Sequence, residues 1–304
     1  MKREITTQTS LLEGQRLLLD MHSFLNIINI LNAEIHLLRH MIRNDAAFEG
    51  CVHIIGNIRN SFGDDSPSLI TSHQMQEFHT YVEQEIAKEC YDGSFNSAEK
   101  QEIEKSIDNT RSLFRIIHIR VREMNDHNGE SESWINHKVD VLNQKMTGFL
   151  NAIAKNSRGR YSIVFDPESK GPNDYLVDLQ IKSVDGEYII MPIVFFDSFR
   201  DLVANARKYT PHGGTIHARL EDNGDDIIIE VSDNGVGIPE NEIDSVVKFG
   251  YRASNVINKE TMGGGFGLSK AYYVTKKMNG RMWVDSKVKK GTTVTIQIPR
   301  GYQD

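Results

Sequence analysis

Three separated pieces between Asp201 and Gly267 constrain this chain more than any other part of it. The first is a helical run, Asp201-Leu-Val-Ala-Asn-Ala-Arg-Lys-Tyr-Thr-Pro211. The second is an apolar strand, Asp226-Ile-Ile-Ile-Glu-Val-Ser232, that runs into Asp233-Asn-Gly-Val-Gly-Ile-Pro239. Two glycines spaced by one residue let that backbone turn sharply and come close to a ligand. The third is Gly263-Gly-Gly-Phe-Gly267, placed directly before a helix expected over Leu268 to Met278. A glycine-rich loop feeding a helix N-terminus offers N–H donors and the positive end of the helix dipole to a phosphate. One such loop is more often a plain connection. The order helix, strand-Asp-x-Gly-x-Gly, Phe249, Gly-x-Gly-Leu points instead to one nucleotide pocket.

With those residues in that order, the stretch Ile193 to Pro299 resembles the ATP-binding domain of histidine kinases and its relatives, gyrase B, the heat-shock chaperone and MutL. Asp201 to Pro211 looks like the N box, Asp233 to Pro239 the first glycine box, Val247 to Arg252 the F box, and Gly263 to Leu268 the second glycine box. The form Asn-Ala-x-Lys-Tyr-Thr-Pro is similar to the histidine-kinase version, since the gyrase and chaperone branch carries an acid where this chain has Lys208.

The resemblance implies roles. Asn205 would be the metal residue, coordinating Mg²⁺, a hard cation that takes oxygen ligands while bridging phosphates. Lys208 would meet phosphate charge, Tyr209 would pack on the adenine, and Asp233 would accept a hydrogen bond from the adenine amino group. Gly235 and Gly237 would let the chain pass beside the purine; Gly263, Gly265 and Gly267 would donate backbone N–H groups to the phosphates. Asp201 is implied as catalytic, and Phe249, Arg252, Phe266, Leu268 and Thr292 as nucleotide contacts. Tyr251 to Met262, polar and poor in apolar residues, reads as a lid.

Elsewhere the chain is an ordinary soluble globular one of 304 residues, with 39% apolar and 25% charged residues, long enough for two domains. Its net charge of −7 gives a nucleic-acid role no general support. The first ten residues are polar and do not resemble a signal peptide, no recognisable sensory domain precedes Leu11, and the longest apolar stretch, Tyr188 to Phe196, is broken by Pro192 and too short to span a bilayer. We therefore expect a cytoplasmic protein without direct membrane insertion. Cys51 and Cys90 read as two reduced thiols.

The N-terminal part is helical by period. Leu17, Met21, Phe24, Ile28, Leu31, Ile35, Leu38 and Ile42 are spaced 4, 3, 4, 3, 4, 3 and 4 apart, a sustained heptad seam. Ile103, Ile107, Thr110, Phe114, Ile117, Val121 and Met124 form a second. The two predict an antiparallel hairpin that dimerises into a four-helix bundle, because a lone hairpin would leave both seams uncovered. Between them, about 45–95, the stripes Cys51-Ile54-Ile55-Ile58-Phe62 and Met75-Phe78-Val82-Ile86 read as an inserted pair of helices.

A bundle ahead of such an ATP domain resembles a sensor histidine kinase. His22 is then the candidate phosphoacceptor, beside the seam residue Met21, with Asn26 on the same helix face four residues on. In the family an acid follows the histidine and orients it; here Ser23 stands there, and Glu123 or Asp126 could substitute. The alternative for His22 is a solvated helix histidine. His36 and His40, at i and i+4, are read as a solvated face rather than a metal site, and His118 as structural.

The expected architecture is multidomain, α and α+β: residues 1–126 a helical dimerisation and phosphotransfer domain, 127–135 a linker, and 136–304 a two-layer α/β sandwich of the histidine-kinase, gyrase B and chaperone ATPase type. Within the last we expect a helix over Val139 to Lys155, a strand over Tyr161 to Asp166, a hairpin over Tyr175 to Met191 turning at Asp185-Gly186, a helix over Phe195 to Tyr209, and four further strands. The resemblance implies an ATP- and Mg²⁺-dependent histidine kinase, a homodimer through residues 11–126 whose partner is a response-regulator receiver domain. A dimeric phosphotransfer or phosphatase scaffold that senses nucleotide is the second reading. An anti-sigma-factor type serine kinase, which needs no long heptad bundle, is the third.

Overall fold

The structure, a computed structural model, describes residues 2–7, 13–61, 70–91, 95–126, 134–155, 157, 159–257 and 266–300. The side chains of residues 13–23, 26, 119–120 and 123–126 lie outside the description. The chain divides into two compact units, Glu13–Glu130 and Met1–Leu12 with Ser131–Asp304.

The first unit contains four helices, α1 (Glu13–Met41), α2 (Glu49–Asn60), α3 (Ser72–Cys90) and α4 (Ser97–Asp126). Helix α3 opens on a capping box, in which Thr71 accepts from the Gln74 N–H and the Gln74 side chain accepts from the Thr71 N–H. The long helices run antiparallel, since Arg43 near the end of α1 pairs with Glu99 near the start of α4. The middle of both seams is buried: Phe24, Ile28, Leu31, Ile35 and Leu38 share one core with Ile103, Ile107, Phe114, Ile117 and Val121.

The cover over these seams comes from the same chain. Cys51, Ile55 and Ile58 of α2 and Met75, Phe78, Val82 and Ile86 of α3 complete that core. Phe24–Leu38 are thus covered without a second copy of the chain. Helix α2 has 12 residues against 29 in α1, which at about 1.5 Å per residue is too short to run beside all of α1.

One polar layer interrupts the core. Glu34, 4% exposed, accepts from Ser106 Oγ at 2.7 Å, with Asn109 and Thr110 buried nearby on α4. Helix α3 is held to α4 by Arg111 and Glu83, which form a two-pronged ion pair, and by His79 and His118, whose ring nitrogens lie 3.0 Å apart. His118 is thus a contact residue between helices. His36 and His40 are exposed.

The second unit is built on a seven-stranded sheet in the order β1-β8-β9-β7-β6-β4-β3, comprising β1 (Arg3–Glu4), β3 (Ile163–Val164), β4 (Tyr175–Lys182), β6 (Thr215–Asp222), β7 (Asp226–Asp233), β8 (Arg281–Lys287) and β9 (Gly291–Pro299). A separate pair joins β2 (Trp134–Lys138) to β5 (Tyr188–Pro192). Along β7 the buried residues alternate as Ile227, Ile229 and Val231, and β9 supplies Val294, Ile296 and Ile298 to the same core. Onto that side pack α5 (Val139–Lys155), α6 (Ile193–Tyr209) and α7 (Gly267–Lys277), through residues such as Met146, Phe199, Leu202 and Tyr272. The result is an α/β fold with a mixed sheet whose helices share one core with it.

Three expectations are corrected here. Residues Tyr175 to Met191 are not a hairpin: the turn exists, with Asp185 Oδ1 accepting from the N–H groups of Glu187 and Tyr188, but β4 pairs in parallel with β3 and β6 while β5 pairs with β2. The linker expected over 127–135 gives way to strand at Trp134. The segment 2–7 belongs to the sheet, not to the helices. Arg3 and Glu4 pair with Val284 and Trp283, Ile5 is fully buried, and Tyr272 Oη donates to the carbonyls of Ile5 and Thr7. Among the described residues no helix is long and apolar enough to cross a membrane.

Candidate nucleotide site

Helix α6 starts after Pro192, whose extended ψ of 140° stands at the N-cap. Its buried stripe, Phe195, Phe199, Leu202, Val203 and Ala206, fixes the helix on the core. The neighbouring stripe, Asp201, Asn205, Lys208 and Tyr209, is spaced 4, 3 and 1 and so shares a face. All four of these side chains are half-buried. Lys208 Nζ lies 5.4 Å from the centre of the Tyr209 ring.

The turn after β7 docks on the C-terminal end of α6. Val236 N–H donates to the Tyr209 carbonyl at 3.1 Å. A Cβ at Gly235 would meet that carbonyl oxygen at 2.5 Å and Asp233 Oδ1 at 2.7 Å, so only glycine fits. Asn255 Nδ2 donates to the Gly237 carbonyl, and the Ile238 N–H donates to Ser286 Oγ, both at 2.8 Å.

Asp233 ends β7 opposite Thr292 of β9. Burial pushes its carboxyl up to about 6, against the opposing pull of N–H donation from Gly235 and Thr292. The Gly235 N–H bond measures 2.8 Å. The result is a carboxylate kept poorly solvated at a strand end, with acceptor capacity to spare. Thr292 Oγ1 shares a hydrogen bond of 2.8 Å with Ser286 Oγ.

The second glycine box reaches α6 from the other direction. Gly267, the first residue of α7, is buried against the Asn205 side chain. Phe266 stacks at 4.7 Å, tilted by 41°, on Phe249 of the F box. Leu268 is half-buried against the core. Arg252 lies beside the Tyr209 hydroxyl, where burial raises the phenol and the guanidinium opposes that rise. The first half of the expected lid is pinned: Glu242 accepts from Tyr251 Oη, the Ser254 N–H and Ser254 Oγ.

Helix α6 is thus the common wall. It brings Asn205, Lys208 and Tyr209 together with Asp233, Gly235, Phe249, Arg252, Phe266 and Gly267. Gly263 and Gly265 lie outside the described residues, as do the side chains of His22, Ser23 and Asn26, although the helix α1 that carries the last three is described. Sequence reasoning missed Ser286 and Asn255, which brace the turn. It also missed Lys270, which is 2% exposed and pairs with Asp201. The available signal was its spacing of three from Gly267 on one helix face.

Residues 195–302 match the family described as histidine kinase-, DNA gyrase B-, and HSP90-like ATPase. The sensor histidine kinase WalK of Bacillus subtilis is 33% identical over 101 residues, which are 33% of this chain and 16% of that protein. The sensor histidine kinase RppB of Synechocystis is 35% identical over 99 residues, 33% of this chain and 22% of that one. The chain therefore spans between about a sixth and a quarter of the curated relatives' own length. The catalytic domain of the histidine kinase ThkA aligns with a TM-score of 0.39 at 15% identity, covering 56% of this chain and 99% of that domain.

Proposed function

We propose that this chain, similar to sensor histidine kinases over its matched C-terminal segment, is an ATP-dependent protein histidine kinase that phosphorylates His22 and passes the phosphoryl group to an aspartate on a response-regulator receiver domain. The observation that carries the reading is the convergence on α6, where Gly235 sits at the Tyr209 end and Gly267 against Asn205. A poorly solvated carboxylate, an amide oxygen, a lysine and two close backbone approaches suit a purine nucleotide with its cation.

Each residue has a chemical task on this reading. Asp233 accepts a hydrogen bond from the adenine amino group, and Tyr209 covers the ring. Lys208 offsets phosphate charge. Phe249 and Phe266 exclude water beside the second glycine box. Asn205 would hold Mg²⁺, which when bound would neutralise charge on the phosphate oxygens. Phosphoryl transfer needs little covalent chemistry from protein, so positioning and charge carry most of the effect.

The homodimer through residues 11–126 is part of the same proposal, with the ends of α1 and α4 beyond α2 and α3 as its seat. One specific observation favours the scaffold reading: Ser23 replaces the acid that would orient the His22 imidazole.

Incubation with γ-labelled ATP and Mg²⁺ separates the two. The kinase reading expects an acid-labile, base-stable phosphoryl group, lost in His22→Ala with nucleotide binding retained. Binding without labelling would leave the scaffold, and label surviving in His22→Ala would move the acceptor to another histidine.

A further inference from the structure

A lysine buried between two helices needs an electrostatic reason, because ammonium burial is costly unless the charge is matched. Lys270 is such a residue, on α7 and facing α6. Its Nζ lies 3.6 Å from Asp201 Oδ2, and the two side chains are 3% and 16% exposed. Among the described residues that oxygen accepts no hydrogen bond. The pair is therefore joined by charge across a distance just beyond hydrogen bonding.

Its place is informative. Gly267 and Lys270 are three apart on α7, and Asn205 and Asp201 are four apart on α6, so each pair shares a face. The helices meet in two rungs, Gly267 on Asn205 and Lys270 on Asp201. The second rung lies one turn from the residue assigned to the cation. An unbalanced carboxylate there would repel a polyphosphate and compete with Asn205 for the metal.

We infer that Lys270 is a positioning residue of the nucleotide site: by neutralising Asp201 it keeps that carboxylate turned into the α6–α7 interface and leaves Asn205 as the group that meets the cation. This rests on the reading of the pocket as a Mg²⁺-nucleotide site. An apolar side chain of similar length would pack the slot but would leave Asp201 charged, and the site would then depend on added cation to accept phosphate.

The test is calorimetry of ADP binding to the full chain, with saturating Mg²⁺ and with EDTA. In Lys270→Met we expect affinity in EDTA to fall tenfold or more and affinity in Mg²⁺ to fall far less, so that the Mg²⁺ enhancement rises at least fivefold. The double variant Asp201→Asn with Lys270→Met, which removes both charges, should bring the enhancement back toward the wild-type value. An enhancement within twofold of wild type in Lys270→Met, with only the melting temperature lowered, would make the lysine merely structural and overturn the inference. So would a double variant no nearer to wild type than the single one. If Lys270→Met does not fold, Asp201→Asn is compared with the double variant: the single variant should bind ADP in EDTA more tightly, and equal affinities would overturn the inference. Wild type that binds no ADP would remove the nucleotide reading itself, a result distinct from all of these.

Discussion

Gly267 stands so close to Asn205 that a Cβ on it would lie 2.8 Å from Asn205 Nδ2. The first residue of α7 is thus the surface on which the amide rests, and the amide's direction depends on that residue having no side chain. Gly267→Ala should push the Asn205 amide off its position, at little cost in stability because Nδ2 is the far end of a rotatable side chain. We expect nucleotide affinity to fall by about tenfold, the factor that a loss of ~1.4 kcal/mol in binding corresponds to, while the melting temperature changes little. Calorimetric titration with Mg²⁺-ADP checks this, and unchanged affinity would detach Asn205 from the site.

Asp233 gives the site a pH dependence whose sign is fixed. Burial lifts its carboxyl from 3.8 to about 6, so the folded protein binds this proton more tightly than the unfolded chain does. Its contribution to stability is fully present below the unfolded value near 4 and is lost as pH rises through about 6. On the proposed reading, adenine recognition uses the ionised form instead. Nucleotide affinity should therefore be highest above pH 6 and decline below it, while the nucleotide-free unit gains stability over the same range. In Asp233→Asn the decline should vanish, and affinity at pH 7.5 should drop by about 1–3 kcal/mol for the mismatched buried partner.

The strap at residues 2–7 should matter to the second unit as much as an internal strand. Ile5 is fully buried, its N–H donates to the Met282 carbonyl at 2.9 Å, and Arg281 grips Glu4 through Nε at 2.9 Å. Ile5→Ala is expected to cost about 2–4 kcal/mol, the range for a truncated buried aliphatic side chain. Tyr272→Phe, which removes the donor to Ile5 and Thr7, should cost roughly 1 kcal/mol. Chemical denaturation followed by Trp283 fluorescence would read both, and an Ile5→Ala loss below that of Tyr272→Phe would refute the ranking.

What could be read in advance depended on how local each cause was. The Asp233 turn is legible because part of its demand is local: Gly235 lies against the Asp233 carboxylate and Gly237 has a left-handed φ of 68°, although the Tyr209 and Lys287 carbonyls that also crowd them come from distant segments. The misread hairpin shows the opposite case. Asp185-Gly186 is a true turn, and Gly186 has the left-handed φ of 74°, yet the strands beside it found partners far off in sequence, Thr215 against Leu176 and Ile135 against Met191. A heptad seam likewise states that a face will be buried but not by which residues; α2 and α3 buried Phe24–Leu38 from within the chain. A two-residue strand such as Arg3–Glu4 carries no period at all. The spacing of Lys270 from Gly267 places it on the same face of α7, but its burial follows only from Asp201 standing opposite it in the fold.

The contact between α3 and α4 should weaken on acidification. His79 stacks on Phe114 at 4.3 Å and 11°, and its Nδ1 lies 3.0 Å from His118 Nε2, so one ring donates to the other. Burial lowers both imidazoles; His118 lowers His79 further, Glu83 raises it and Arg111 lowers it, while Arg122 lowers His118. For groups depressed in the fold, stability is present above the unfolded value near 6.5 and is lost as pH falls through the folded value. Protonation of both rings would place two cations 3.0 Å apart beside Arg111. The helical unit's melting temperature should thus drop between pH 7 and pH 5. His118→Gln, which keeps a hydrogen-bonding group without a titratable ring, should flatten that drop. Circular dichroism at the helical band across this pH range is the check, and an unchanged slope in His118→Gln would show that the histidine pair does not set it.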